Sequence, residues 1–499
     1  MQYFSTFVSR RSLKTAKTFV ANNTSLLITA LMVVLFSCGA GNGAQTNTPT
    51  LDPAAASALM YDTTLPNGVV TDSVACRKEG GQTYALYLPS FYTPERSFPC
   101  LFFFDAHARG SMPVRAYKGI AEKYGFVFVG SNVSQNGTPW EVTSRDAQIL
   151  MDDTRTRINI DSKRIYTSGF SGGARVAASI AILQGGIAGV IGSAAGFPQV
   201  QQPLQNKFDY FGIVGDYDFN LGEMEQLDMA LEQNGFTHQL LTSSGIHGWP
   251  SATDFQTGLL WLQLNAMKTH LQPVNDTLIK TFKTDFDKRI ATATLAKDWT
   301  KARNLVSGTE RALNGLADIT AYRQQLAELD NSAVYKSAVA ARELLRQKET
   351  MQQQELQKQF PVQSEQWWAH KIGQLNKEVH HAKTPQEALM NKRLVNYLGL
   401  IGYMYSDRAL KTGDLPNAAK YLAIFKLADP KNPDCGYLSA LYFMQKGDKH
   451  AALASLSEAV SVGYSEAAKL KTEPAFKILH DDAGFMKIIT KATENALAK

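Results

Sequence analysis

Short apolar runs alternate with amphipathic stretches between residues 65 and 270 of the chain. The apolar runs have the length expected of buried strands, and they include 83–89, 101–106, 125–131, 164–169, 189–196 and 210–215. Stretches such as 113–124, 145–158 and 221–235 lie between these runs and repeat their apolar positions with the period of a helix. The alternation predicts an α/β fold over residues 65–270, with a mostly parallel sheet and helices on both faces.

The texture of the sequence changes after the stretch 255–270. Beyond it the strand pattern stops, and the rest of the chain has the periodicity of helices nearly throughout. A change of this kind marks a domain boundary. We therefore expect an α/β domain over 65–270, large enough to be a catalytic domain, and a helical connecting region over 271–396.

A repeat can be counted within the helical half. The dipeptide Gly413-Asp414 recurs 34 residues later as Gly447-Asp448. Three further positions recur at the same offset, namely Tyr403 and Tyr437, Ala418 and Ala452, and Leu422 and Leu456. This period, with small residues where helices cross and Gly-Asp at the turn, resembles tetratricopeptide repeats. We expect an all-α, tetratricopeptide-repeat-like domain over 397–499.

Two uses of this helical domain follow from the repeat. Stacked repeats present an extended surface on which a protein partner can dock. Alternatively, the helices bury only their own apolar face and bind nothing. The sequence leaves both interpretations open.

The N-terminus has the pattern of a secretory leader. Basic residues without an acidic one precede an apolar run at 25–36 that is too short for a membrane span. Residues 35–39 resemble the lipoprotein box of bacteria, whose cysteine is acylated and becomes the first residue of the mature protein. We expect a signal peptide over 1–37, a lipid on Cys38 and a flexible tether over 38–64, with an ordinary cleaved leader as the alternative. These features predict a lipid-anchored protein of the bacterial cell envelope, on the periplasmic side unless it is exported to the surface.

Composition and charge exclude several classes of protein. With 44% hydrophobic and 19% charged residues, the chain is globular and not disordered. Without the leader, 47 basic residues face 45 acidic ones, so the net charge falls from +6 to +2 and no nucleic-acid partner is expected. Beyond Cys38 the remaining cysteines, Cys76, Cys100 and Cys435, have no Cys-x-x-Cys spacing, and we expect no metal site. A disulfide between Cys76 and Cys100 is left open, since geometry decides it.

Ser171 stands in a Gly-x-Ser-x-Gly motif, within Gly169-Phe170-Ser171-Gly172-Gly173. An apolar run that fits a strand precedes the motif, and a helix of small residues, 172–183, follows it. A serine on such a sharp strand-to-helix turn has an exposed oxygen, and the glycines avoid clashes that Cβ atoms would cause. Because a serine hydroxyl needs a base and oxyanion donors to act as a nucleophile, the later sequence must supply a base.

An acid and a histidine follow Ser171 in the order that this motif requires. Asp216 and Asp218 come directly after the apolar run 210–215, and we favour Asp218 as the acid, with Asp216 as the alternative. His247 lies in a glycine-bearing loop before the last helix of the domain, where a base would reach Ser171. His238 lies in an alternating segment that predicts a strand, so we assign it no catalytic role.

These pieces together resemble the α/β-hydrolase fold and, within it, the poly(3-hydroxybutyrate) depolymerase and feruloyl esterase group. The matching residues are 164–173, Gly215 to Asp218, and His247 to Pro250. The resemblance implies Ser171 as the nucleophile, Asp218 as the orienting acid and His247 as the base. It also implies an oxyanion hole formed by the N–H of Gly172 and by a second N–H from the loop 107–111.

The second oxyanion donor is where the chain departs from this group. The group carries His-Gly in the first oxyanion loop, whereas this chain carries His107-Ala108. The resemblance then implies the N–H of Arg109 as the donor. It implies no cofactor and no metal.

The connection between the runs that end at 196 and begin at 210 is too short for an inserted lid. We therefore expect a site open to solvent and a small-molecule or polymer-linked ester as substrate. The nearby aromatic residues Trp140, Phe170, Phe219 and Trp249 either hold an aromatic acyl group or only pack around the catalytic residues. The alternatives to an esterase are a serine peptidase of the same fold and an inactive scaffold that binds through its helical repeats.

Overall fold

A computed structural model of the protein describes residues 61–78, 81–198, 204 and 206–497. The expected signal peptide, the lipid-bearing Cys38 and most of the tether lie outside the described residues. At the end of the expected tether, the Asp62 carboxylate binds the guanidinium groups of Arg77 and Arg157 at 2.9 and 3.0 Å. The folded part of the chain therefore includes residues 61–64, which the sequence assigns to the tether.

Eight strands of the described chain form one sheet. They are β1 (Val70–Ala75), β2 (Thr83–Tyr87), β3 (Phe98–Phe104), β4 (Val127–Ser131), β5 (Ile160–Phe170), β6 (Gly189–Ser193), β7 (Asp209–Gly215) and β8 (His238–Ser243). Their order across the sheet is β1-β2-β4-β3-β5-β6-β7-β8. Strand β2 pairs antiparallel with β1 and β4, and the pairs from β4 to β8 are parallel.

Helices cover both faces of this sheet. The helices that lie between or directly after the strands are α1 (Ser111–Tyr124), α2 (Trp140–Arg157), α3 (Gly172–Leu183), α4 (Leu221–Gln233) and α5 (Ala252–Lys268). Side chains of β3 point alternately to the two faces: Leu101 and Phe103 pack with α1 and α5, and Phe102 and Phe104 pack with α2 and α3. Every residue of β3 is buried, as expected of a central parallel strand that is covered on both sides.

The first helices after the sheet extend its core. They are α6 (Asp276–Leu295), α7 (Trp299–Leu313) and α8 (Thr320–Asn331). Phe282 and Phe286 of α6 and Leu305 of α7 belong to the same apolar core as α5 and the sheet. Helix α5 lies between the sheet and the helices α6 and α7, and 13 of its 17 residues are buried. The end of the strand pattern near residue 270 therefore does not coincide with the edge of a core.

The remaining helices form a second apolar core of their own. They are α9 (Ala333–Gln359), α10 (Glu365–His380), α11 (Pro385–Lys411), α12 (Leu415–Ala428), α13 (Pro433–Gln445), α14 (Lys449–Ser461), α15 (Ala467–Thr472), a 3₁₀ helix (Pro474–Leu479) and α16 (Ala483–Leu497).

The repeated Gly-Asp dipeptide lies at two equivalent helix turns. Gly413 and Gly447 have φ values of 71° and 78°, a left-handed conformation that glycine adopts without strain. The carboxylates of Asp414 and Asp448 then cap the next helix by accepting hydrogen bonds from its backbone N–H groups. The period of 34 residues thus marks repeated helix pairs, while the resemblance to tetratricopeptide repeats stays a prediction.

The fold class predicted from the sequence is confirmed: a mostly parallel sheet with helices on both faces, followed by an all-helical region. One open question is also answered, because Cys100 is a buried free thiol and the Cys76–Cys100 disulfide does not form. Burial raises the pKa of the Cys100 thiol well above its usual range. Among the helices of the described residues, none has the length and apolar character needed to cross a bilayer.

Candidate active site

Ser171 occupies a sharp turn between β5 and α3. Its backbone has φ 54° and ψ −120°, a conformation that is costly for a residue with a side chain and that accompanies functional sites. The surrounding glycines are required by close packing: a Cβ on Gly173 would lie 2.0 Å from the carbonyl oxygen of Phe104. A Cβ on Gly169 would lie 2.1 Å from the carbonyl oxygen of Gly173. The motif therefore has the geometry of a nucleophile elbow.

The structure brings Ser171, His247 and Asp218 together in one chain of hydrogen bonds. The Nε2 atom of His247 lies 3.0 Å from the Oγ atom of Ser171. Its Nδ1 atom lies 3.0 Å from both carboxylate oxygens of Asp218. Asp218 is fully buried, and the His247 side chain keeps 17% of its exposure. This arrangement can take a proton from the serine hydroxyl while the buried carboxylate stabilises the imidazolium.

The alternative acid and the other histidine lie elsewhere. The Oδ1 atom of Asp216 accepts a hydrogen bond from the N–H of Gly245 at 3.1 Å and does not contact His247. His238 is buried in β8, where its ring faces the carboxylates of Asp228 and Glu232.

Aromatic rings enclose His247. Phe219 stacks on the imidazole with ring centroids 4.3 Å apart, and Phe170 lies 4.8 Å away on a tilted plane. Both phenylalanines are at most 8% exposed. Trp249 packs against Phe170, with ring centroids 5.9 Å apart, and Trp140 packs in the core on the face of α2 and α3. Phe170, Phe219 and Trp249 therefore pack around His247, whereas Trp140 does not.

Gly172 is the first residue of α3, so its N–H has no acceptor within the helix. The helix dipole also favours negative charge at this end. The end of the exposed Asn136 side chain lies beside Gly172, where a Cβ would require it to move. The position of Gly172 is suitable for an oxyanion donor.

Arg109 lies in the loop between β3 and α1. Its Nε and Nη2 atoms donate to the carboxylate of Asp105 at 2.8 and 3.1 Å, and its Nη1 atom lies 3.6 Å from Glu466. The N–H groups of His107 and Ala108 are also engaged, with Asp105 and with the Ser134 carbonyl. The contacts of Arg109 with Asp105 and Glu466 involve its side chain, and the backbone N–H of Arg109 as the second oxyanion donor stays a prediction.

Asp105 is the residue that the sequence argument misses. Asp105 directly follows β3 and is fully buried. Its carboxylate accepts hydrogen bonds from the His107 N–H, the Arg109 guanidinium and the Trp249 indole. Burial alone would raise the pKa of Asp105, but the charge and hydrogen bonds of Arg109 outweigh it and the pKa is lowered. Since Trp249 stands two residues beyond His247, this one carboxylate joins the first oxyanion loop to the loop of the histidine.

The helical region forms one wall of the site. Glu466, which directly precedes α15, contacts Arg109. The rings of Tyr403 and Tyr397 of α11 lie 6.4 and 6.1 Å from those of His107 and Phe219. The expectation of a site open to solvent is therefore wrong on this side. The short connection between β6 and β7 gave no sign of this wall, because the helices that cover the site come from more than 150 residues further along the chain.

The chain was compared with known protein families, curated proteins and solved structures. No protein-family model and no curated protein matches the chain. Among solved structures, it is similar to an S-formylglutathione hydrolase from Staphylococcus aureus, with 12% identity and a TM-score of 0.34 over 40% of this chain and 98% of that one. It is also similar to an esterase from Pyrobaculum calidifontis, with 16% identity and a TM-score of 0.31 over 37% of this chain and 78% of that one. Esterase B from Lactobacillus rhamnosis matches with 13% identity and a TM-score of 0.34, over 41% of this chain and 90% of that one. At these TM-scores a similar structure does not identify a function, and the geometry of the site is the basis for the function proposed below.

Proposed function

We propose that the protein is a serine hydrolase that cleaves carboxylic esters, with bulky or polymer-linked esters as its substrates. The observation that carries this proposal is the continuous hydrogen-bonded chain from Ser171 through His247 to the buried Asp218, with contacts of 3.0 Å at each step. The strained turn at Ser171 and the free helix N-terminus at Gly172 support it.

In the first half of the proposed reaction, the Oγ atom of Ser171 attacks the ester carbonyl carbon while Nε2 of His247 takes the hydroxyl proton. The oxyanion accepts a hydrogen bond from the N–H of Gly172, and Asp218 stabilises the imidazolium. Collapse of the tetrahedral intermediate breaks the bond to the alkoxide, which takes the proton from His247 and leaves as the alcohol.

In the second half, His247 takes a proton from a water molecule, and the resulting hydroxide attacks the acyl-enzyme carbonyl. The second tetrahedral intermediate breaks its bond to Ser171, whose oxygen regains the proton from His247. The net reaction consumes one ester and one water and releases one acid and one alcohol, with no cofactor.

We further propose that the enzyme acts in the bacterial cell envelope, held on the periplasmic side by a lipid on Cys38. The leader pattern of residues 1–37 supports this location. A protein partner at the helical repeats is part of the same proposal, because stacked repeats present an extended surface on which a partner can dock.

Labelling with a fluorophosphonate tests the proposed nucleophile. We expect labelling and short-chain nitrophenyl ester turnover in the wild type and in Ser179→Ala, whose hydroxyl bonds only the Arg175 carbonyl of the same helix. We expect neither in Ser171→Ala. Absence of labelling and turnover in the wild type would refute the serine hydrolase, and labelling that survives in Ser171→Ala would refute the nucleophile.

The leaving group is tested next with matched substrates. An acyl nitrophenyl ester and the nitroanilide of the same acyl group differ only in the bond that is cleaved. Turnover of the ester alone supports an esterase, whereas comparable turnover of the anilide would favour the peptidase alternative. Hydroxybutyrate oligomers and feruloylated or acetylated sugars then identify the acyl group.

A further inference from the structure

Asp218 stands in a short loop whose backbone carbonyls accept hydrogen bonds from the helical region. We define the acid loop as residues 216–220, which connect β7 to α4 and carry Asp218. Three of its backbone carbonyls, those of residues 216, 217 and 219, accept hydrogen bonds from side chains of α9 and α11. Such side-chain donors fix a loop whose carbonyls have no partner in regular secondary structure.

Two of these donors lie one helical turn apart on α11. Arg393 donates from Nη1 to the Asp216 carbonyl at 2.8 Å, and Asn396 donates from Nδ2 to the Tyr217 carbonyl at 2.8 Å. Residues spaced by three positions share one face of a helix, so this face of α11 is turned toward the acid loop.

A third donor comes from α9. The Nε2 atom of Gln353 donates to the Phe219 carbonyl at 3.2 Å. The ring of Tyr397, on the same face of α11, lies 6.1 Å from the ring of Phe219, which in turn stacks on His247. The contacts therefore bracket Asp218 on both sides along the chain.

The Arg393 side chain is fully buried, which makes its direction well defined. Its Nε and Nη2 atoms form a paired contact with the Glu349 carboxylate at 2.8 and 2.7 Å. A buried ion pair contributes little net stability, because desolvation of the two charges offsets their attraction. What it provides is geometry: with two donor atoms held by Glu349, the remaining Nη1 is aimed at the Asp216 carbonyl.

The inner side of the acid loop is bound to the loop of the histidine. The Asp216 carboxylate accepts from the Gly245 N–H at 3.1 Å, and the Tyr217 N–H donates to the Gly245 carbonyl at 2.9 Å. Gly245 stands two residues before His247, so these two hydrogen bonds join the acid loop to the histidine loop on its inner side.

We propose that Arg393, Asn396 and Gln353 are positioning residues, through which the helical region completes the catalytic site by holding the acid loop so that Asp218 meets His247. The proposal rests on the function proposed above. These residues contact only backbone carbonyls of the loop and touch no reacting atom. A displacement of about 1 Å at such a place lowers turnover by up to about 100-fold.

The test compares two asparagines of α11. Asn396→Leu removes the donor to the acid loop, and Asn391→Leu removes an equivalent donor that binds the Glu378 carbonyl within the helical region. For each variant, kcat is divided by the number of active sites titrated with a fluorophosphonate, so that loss of folded protein does not count. We expect Asn396→Leu to lower kcat at least about tenfold with KM within twofold, and Asn391→Leu to leave both unchanged.

The double variant Arg393→Met with Glu349→Leu removes the second donor without leaving a buried unpaired charge. We expect it to lower kcat in the same way. If both variants retain wild-type kcat per titrated site, the positioning role is refuted.

A double-mutant cycle with Asp218→Asn shows whether the effect passes through the acid. We expect Asn396→Leu to change kcat less than twofold in the Asp218→Asn background, because the group that it positions is already lost. An equal loss in both backgrounds overturns the proposal and indicates a general structural effect. Wild-type turnover in Asp218→Asn alone would instead refute the proposed triad, so the two failures are distinct.

Discussion

Asp105→Asn tests whether one buried carboxylate holds two loops of the site together. The carboxylate accepts four hydrogen bonds, from the His107 N–H, two atoms of Arg109 and the Trp249 indole. Asparagine keeps the shape of the side chain but removes its charge and turns one acceptor into a donor that faces other donors.

The size of the expected effect follows from the burial of the two partners. Breaking a fully buried ion pair costs about 3–5 kcal/mol. Asp105 is fully buried, but the Arg109 side chain keeps 28% of its exposure, so water offsets part of the loss. We therefore expect the free energy of unfolding to fall by about 3 kcal/mol, at the lower end of that range.

Urea unfolding measures this effect against a matched surface pair. Asp72 binds Arg115 through the same two guanidinium atoms but is about half exposed, so Asp72→Asn should cost less than about 1 kcal/mol. Ester turnover should also fall in Asp105→Asn, since Trp249 loses its anchor beside His247, and should stay unchanged in Asp72→Asn. Equal losses of stability in the two variants, with full turnover in both, would refute the assigned role of Asp105.

The pH dependence of the same variant has a defined sign. Because the pKa of Asp105 is lowered in the folded protein, its contribution is present above the ordinary aspartate pKa of about 4 and is lost as the pH falls through the folded value. The difference in unfolding free energy between the wild type and Asp105→Asn should therefore shrink below about pH 4. A difference that stays constant from pH 7 to pH 3 would contradict the lowered pKa.

Two further predictions address other parts of the catalytic fold. Gly173→Ala should lower kcat per titrated active site by up to about 100-fold, because its Cβ would lie 2.0 Å from the backbone carbonyl oxygen of Phe104 and displace the turn that carries Ser171. Gly172→Ala is the control, since its Cβ meets only the end of the exposed Asn136 side chain, which can rotate away; equal losses in the two variants would rule out backbone packing as the cause. Burial raises the pKa of Asp209 to about 6. The folded protein therefore has its full stability below the ordinary aspartate pKa, where this carboxyl is protonated, and loses stability as the pH rises through about 6. Asp209→Asn should therefore raise the free energy of unfolding at pH 8 by up to about 3 kcal/mol and by little at pH 4, as measured by urea unfolding at both values; equal gains at the two pH values would be inconsistent with this explanation.

The three residues of the proposed triad could be predicted because each carries a local signal. Ser171 stands among glycines between a strand and a helix, and Asp218 and His247 follow later strands in the required order. Local sequence is enough here, because the carboxyl ends of neighbouring parallel strands meet at one edge of the sheet. The sheet itself was predictable for a similar reason, since apolar runs of strand length alternate with helical periods.

Residues whose role depends on distant partners could not be predicted. An aspartate after a strand, such as Asp105, is typical of a turn, and the Trp249 indole that it binds lies 144 positions away. Arg393 and Asn396 interrupt the apolar pattern of a helix and give no sign of the carbonyls that they bind. The loop 107–111 is a further example, because hydrogen bonds to Asp105 and Ser134 determine which of its N–H groups stay available.

The helical periodicity after residue 270 shows that each helix has an apolar face, but not what covers that face. Helices α6 and α7 cover α5 and so join the core of the sheet, whereas α10 to α14 pack among themselves. Amphipathic patterns on the two sets are alike, and only the tertiary structure separates them.

The burial of α5 on nearly all sides has a practical consequence for dissecting this protein. A fragment that stops near residue 270, at the end of α5, would leave Leu260 and Leu264 without the side chains of α6 and α7, and such a fragment would tend to aggregate. Extending the fragment to the end of α8 would protect that face but would still remove the donors that hold the acid loop. The two helical sets therefore have different uses in a fragment: α6 to α8 keep it soluble, and α9 and α11 supply the donors to the acid loop.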